Sequence, residues 1–135
     1  MRGSLHIIPT DKSRPHRLVM LERPVATADL HTIVGGYVEI VPNWETTVVD
    51  DDQPCIVFCN RHARFQALPR NGWTSIIWCT AMRRNGKPSK SAVFPSLLWE
   101  VAVITGDDEF MQAVRDAHFD CISVGVPEDQ IEYYA

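Results

Sequence analysis

The sequence predicts an α+β fold: a single domain of four to six short, mostly antiparallel strands with two helices, one near each end. Three observations lead there. Short apolar runs rich in Val, Ile and Leu recur between clusters of Pro, Gly and Asn, which is the punctuation of strands. Two other stretches repeat their apolar residues at helical spacing. A chain of 135 residues, 45% hydrophobic and 22% charged, suits one core, so residues 1–135 are read as one domain.

The elements follow in order. Residues 1–15 are polar, carry Pro9 and Pro15, and read as a ragged N-terminal segment in which residues 5–8 have strand composition. Leu18-Val19-Met20-Leu21, between Pro15 and Pro24, is a short strand. Residues 26–34 form the first helix: Thr27 serves as N-cap, Asp29 suits the positive end of the dipole, and Leu30, Ile33 and Val34 share a face. Gly35-Gly36 ends it. Residues 37–41 alternate as a strand, and Asp50-Asp51-Asp52-Gln53-Pro54 turns the chain between strands at 46–49 and 55–59.

Residues 60–64 reverse the chain and 68–72 form a loop. Residues 73–82 have the length and β-branched content of a strand or a buried helix. Asn85-Gly86, inside the polar stretch 83–90, is a two-residue hairpin signal, and 97–104 closes that hairpin or starts a new central strand. Residues 107–117 form an amphipathic helix with acids in its first turn and a stripe of Phe110, Ala113, Val114 and Ala117. The tail from Pro127 to Tyr134 reads as a short helix opened by proline.

Charge is distributed unevenly. The net charge is −3 over residues 1–52, +7 over 53–99 and −8 over 100–135. The middle segment holds Arg61, Arg64, Arg70, Arg83, Arg84, Lys87 and Lys90 and no acid. A surface of one sign concentrates and steers ligands of the other. The segment therefore reads as an anion-facing region, or as half of a self-complementary interface with the acidic C-terminal third. A pI near 5.7 argues against a general nucleic-acid coat, leaving nucleic acid a lesser candidate. No run approaches 18 apolar residues, so no membrane partner is expected. The apolar run at the N-terminus is too short for a signal peptide, and a cytoplasmic location is expected. Cys55, Cys59, Cys79 and Cys121 lie in apolar runs and read as reduced core thiols.

Candidate chemistry follows from the basic segment. Guanidinium groups present a planar fork that donates two parallel hydrogen bonds to phosphate. If 61–70 and 83–90 are neighbouring turns, Arg61, Arg64, Arg70, Arg83 and Arg84 would neutralise phosphate. His62 and Asn71 would supply hydrogen bonds, and Phe65 or Trp73 would stack a base. The bland alternative is a set of solvated loop charges. Cys55, Cys59 and His62 have the spacing C-x3-C-x2-H, but residues 55 and 59 of one strand lie about 13 Å apart, too far for one zinc ion, so no metal is expected. A nucleophile would need a base beside it. His118 and Asp120 neighbour Cys121 only in sequence, so no catalytic residue and no cofactor are assigned. Glu39 and Glu100 interrupt apolar runs and are read as solvent-facing or paired with an arginine.

Two segments carry a further signal: Val34-Gly35-Gly36-Tyr37-Val38-Glu39, and Asn60 followed by Leu68-Pro69-Arg70-Asn71, with Gly106-Asp107 downstream. In that order, over residues 28–110, the chain resembles a family of small domains of unknown function carried by phages, plasmids and other mobile elements. That family places acidic residues and glycine after its strand asparagine, where this chain has Arg61, His62 and Ala63. The resemblance implies the fold and a mobile-element setting, in which small accessory proteins counter host defence by sequestering a nucleotide signal or binding a host protein. The expected protein is thus a non-catalytic binder of an anionic, nucleotide-type small molecule, acting as a homodimer. A protein-binding inhibitor of a host defence protein is the alternative, and a small enzyme acting on nucleotide phosphates a third.

Overall fold

The computed structural model describes residues 1–41, 44–47, 53–63, 65–84, 94–95, 97–118 and 133–134, with Arg84, Phe94, Pro95, Tyr133 and Tyr134 described in backbone only. The fold is α+β. Strands β1 (Gly3–Ile8), β2 (Arg17–Leu21), β3 (Val38–Ile40), β4 (Cys55–Asn60) and β8 (Val101–Gly106) form a five-stranded antiparallel sheet in the order β2-β1-β8-β4-β3. Two short pairs accompany it: β5 (Arg70–Asn71) with β7 (Leu97–Leu98), and β6 (Phe94–Pro95) with β9 (Tyr133–Tyr134).

Helices cover both faces. Helices α1 (Thr27–Val34) and α3 (Asp108–Ala117) lie on one side, where Leu30, Val34, Phe110, Met111 and Val114 pack on Leu5, Ile7, Ile56, Phe58, Ala102 and Ile104. Helix α2 (Gly72–Arg84) lies on the other, where Trp78, Ala81 and Met82 meet Cys55, Val57, Cys59, Val101 and Val103. This explains why Cys55-Ile56-Val57-Phe58-Cys59 is an unbroken apolar run. A strand covered on both faces has no solvent side to mark with polar residues, and all six residues of β4 are buried.

Several sequence expectations need correction. Residues 3–8 are not ragged: β1 pairs on both edges, with β2 and with β8. Of the two readings left open for residues 73–82, strand or buried helix, the helix is found, over Gly72–Arg84. Asn71 caps the segment, its Oδ1 accepting from Thr74 N at 3.2 Å, and Trp78, Ala81 and Met82 recur at helical spacing. There are consequently three helices among the described residues, not two. The run 97–104 is split because Trp99 takes a left-handed φ of 68°, which ends β7 before β8 begins. Thr27 does not cap α1. Ala26 holds the N-cap position without a side-chain bond, and Thr27 Oγ1 lies 3.0 Å from His118 Nδ1. At the tail, Tyr133–Tyr134 is strand, not helix. The expected turns at 50–52 and 85–86, and Cys121, lie outside the described residues.

Candidate functional site

The register gathers the C-terminal ends of β1 and β4 and the start of β8 at one end of the sheet, with Ile8 opposite Val101 and Phe58 opposite Ala102. Two buried asparagines organise this end. Asn60 donates from Nδ2 to Val34 O at 3.0 Å and to Gln66 Oε1 at 2.8 Å, and its Oδ1 accepts from His62 N at 2.8 Å. Asn71, with no exposed surface, donates from Nδ2 to Ile8 O and Trp99 O, both at 3.0 Å. Buried carbonyls without a partner are costly, so each asparagine ties three chain segments together.

The glycine pair belongs to the same framework. Gly35 takes the left-handed C-cap conformation at φ 81°, donating to His31 O. A Cβ on Gly35 would lie 3.1 Å from Trp99 Nε1, and one on Gly36 would lie 3.1 Å from Asn60 Nδ2. Pro69 O accepts from Trp99 N at 2.8 Å. Val34-Gly35-Gly36, Asn60 and Leu68-Pro69-Arg70-Asn71 thus converge in space, and they converge as scaffold.

Outside this scaffold runs a row of four rings. His31 on α1 lies 5.3 Å from Tyr37, Tyr37 lies 6.1 Å from His62, and His62 lies 6.2 Å from Phe65, all edge-on. Phe65 is 89% exposed and Tyr37 66%. Burying such rings against a ligand or partner recovers apolar area that folding leaves in water. Arg61 stands beside the row, its Nε 4.0 Å from Glu39 Oε2. That pair is at the long limit and its guanidinium is exposed, so it holds the guanidinium weakly. Burial raises the Glu39 carboxyl above its ordinary range, opposed by the positive charge of Arg61 and His62. Glu39 thus pairs with an arginine of the basic segment, as its sequence position suggested. Among the described residues Glu100 forms no ion pair, and its Oε1 accepts from Thr10 N at 3.2 Å.

The structure assembles part of the expected site. Arg61, His62 and Phe65 come together, joined by Tyr37 and His31, which the sequence reading did not include. Asn71 is committed to the scaffold. Trp73 meets His16 at 6.0 Å while the ring contact of Phe65 goes to His62. Arg70 precedes α2 and Arg83 sits in its last turn. At about 1.5 Å rise per residue the helix carries Arg83 about 16 Å from Gly72. Arg64 and the Arg84 side chain lie outside the described residues.

Nucleophilic chemistry finds no support at the buried thiols. Burial pushes Cys55 up to about 12 and Cys59 well above its ordinary value, so both stay protonated near neutrality. His118, weighed as a base, is buried between helices. A carbonyl can only accept, so Nε2 donates to Val25 O at 2.8 Å, and Nδ1 is left to accept from the Thr27 hydroxyl. Among the described residues no group of three His, Cys, Asp or Glu could hold a metal ion, and no helix is long and apolar enough to cross a membrane. No family model, curated protein or solved structure matches this chain.

Proposed function

We propose that the protein binds a nucleotide-type anion without catalysis, its base lying on the Tyr37–His62–Phe65 row and its phosphate on Arg61. The observation that carries this reading is the exposed ring row beside a weakly held guanidinium, standing on a scaffold of buried asparagine bonds. Bases stack on aromatic faces with little regard to sequence, and arginine supplies the planar fork that phosphate matches. The setting, by resemblance of the Gly-Gly-Tyr and Leu-Pro-x-Asn segments, is a mobile-element protein in the host cytoplasm that sequesters a nucleotide signal of host defence. A homodimer fits the opposite charges of residues 53–99 and 100–135.

The test is a thermal melt against mono-, di- and cyclic nucleotides and ADP-ribose derivatives. A ligand present at a hundred times its Kd adds about 2.7 kcal/mol, a shift of roughly 10 °C for a domain of this size. Arg61→Ala and Phe65→Ala should each abolish the shift and leave the ligand-free melt in place. A flat panel overturns the reading. The exposure of Phe65 and Tyr37 favours a second one, a protein-binding inhibitor, because exposed aromatics beside arginine are common anchors of protein interfaces. Co-purification of a host protein that is lost in Phe65→Ala, with no response to nucleotides, would select it.

A further inference from the structure

On the other side of α1 from the ring row lies a cleft of about 410 Å³, lined by Ile7, Pro9, Arg14, Pro15, Arg17, Thr32, Ile33, Trp99 and Glu100. Its outer wall is the β1–β2 connection, which is fixed at both ends. Thr10 N donates to Glu100 Oε1 at 3.2 Å. Ser13 N and Ser13 Oγ both donate to Asp11 Oδ1, at 2.9 and 2.7 Å, and Arg14 N donates to Asp11 O at 3.1 Å. His16 Nδ1 lies 3.1 Å from His6 Nε2. The inner wall is Trp99, held in its left-handed turn by the bond from its N–H to Pro69 O.

The lining divides by chemistry. Ile7, Ile33, Pro9, Pro15 and the Trp99 indole are apolar. Arg14 and Arg17 are cationic, and among the described residues neither forms an ion pair. Glu100 is the one acid among the described lining residues, and one of its oxygens is already taken by Thr10. Asp11, whose charge acts on Arg14, lies on the connection outside the lining. Among the lining residues, two guanidiniums against one carboxylate leave a single positive charge. One negative charge on a ligand neutralises it, whereas a polyphosphate would bring excess charge up to Glu100.

We propose that this cleft is a second binding site, taking a monoanion with an apolar body: an aryl or alkyl carboxylate whose acid group meets Arg14 and Arg17 and whose body lies on Ile7, Ile33 and Trp99. A volume of this size is typical of small-molecule sites, which combine apolar walls with a few placed polar groups. The site does not depend on the ring row. Its residues lie outside the basic segment 53–99 except for Trp99, and its ligand differs in charge from a nucleotide.

The test is a millimolar titration with benzoate, and with benzamide as the neutral isostere, followed by two-dimensional amide NMR. The indole N–H of Trp99 is assigned by its disappearance in Trp99→Phe. Benzoate should move the Trp99 indole signal and the amides of residues 14–17 and 32–33, and benzamide should not. Arg14→Ala and Arg17→Ala should each weaken benzoate about tenfold, the loss expected for one charge-assisted hydrogen bond, while Arg61→Ala leaves it unchanged. Equal response to benzamide, absence of a Trp99 shift, or full affinity in both arginine variants would overturn the proposal. Nucleotide binding at the ring row is read from other residues, so either site can fail alone.

Discussion

The two ends of the five-stranded sheet are built to opposite purposes. At one end, Gly3 and Gly106 pair beneath the Phe110 ring. A Cβ on Gly106 would come within 2.7 Å of Arg2 O, so glycine there makes room for close packing. Asp107 then caps α3, its Oδ1 accepting from Phe110 N at 2.8 Å and its Oδ2 from Arg2 N at 2.8 Å. That end is closed by the Phe110 ring and by a carboxylate that ties the start of α3 back to Arg2. The other end is closed by two asparagines that reach across 26 and 63 residues of sequence, to Val34 and Ile8. Its outer surface carries exposed rings and arginines. The difference teaches that polar clamps can hold a sheet end rigid while leaving its surface chemistry free.

The comparison breaks most severely at the closed end. Phe110→Ala should cost about 3–5 kcal/mol, the usual loss for emptying a fully buried aromatic site, seen as a lowered denaturation midpoint with an unchanged slope. At the open end, Asn71→Ala should cost about 3 kcal/mol by stranding Ile8 O, Trp99 O and Thr74 N. A loss as small as that of an ordinary surface change would show that water replaces the clamp. Phe65→Ala and Arg61→Ala, on the same end but outside the scaffold, should change stability by no more than about 0.5 kcal/mol while removing nucleotide response.

The finest distinction concerns Glu39. Its carboxyl is raised by burial, so the folded chain holds that proton at a pH where the unfolded chain has released it. Stability should therefore decline as pH rises from the ordinary carboxylate range through the raised value. Glu39→Gln removes the titration, and its melting profile should be flatter across that window. Parallel profiles would mean that the positive charge of Arg61 and His62 cancels the burial.

Strands β2, β3 and β4 and helices α1 and α3 were legible because each announces itself locally, by alternation, by a continuous apolar run, by a closing glycine pair or by leading acids. Strand β1 was read only in residues 5–8 of a ragged segment, and β8 only as part of one run over 97–104. Helix α2 was legible only as one of two alternatives, since Ile76, Ile77 and Thr80 favour strand locally and the decision lies with the Asn71 cap and the packing of Trp78, Ala81 and Met82. The open end was half legible. Arg61, His62 and Phe65 stand within one turn, so their proximity follows from short sequence separation. Tyr37 and His31 reach the same place only through the pairing of Val38 with Asn60, which no local pattern reveals. Asn71 was misread for a related reason: an asparagine among basic residues looks like a ligand until the carbonyls it serves are seen. The Gly-Gly, Asn and Leu-Pro-x-Asn positions prove to be scaffold.

The cysteines on the α2 side of the sheet carry one more consequence. Cys55 and Cys59 point from β4 into the layer beneath α2, and Cys79 lies buried on the helix itself. Alkylating reagents attack thiolate, and burial shields Cys55 and Cys59 while the layer is shut and Cys79 while α2 keeps its packing. The rate at which iodoacetamide labels each cysteine, read by mass spectrometry on the intact wild-type chain, is therefore a native clock for the parting of α2 from the sheet. If the layer opens as one unit, Cys55, Cys59 and Cys79 will acquire label together. If α2 frays by itself, Cys79 will run ahead.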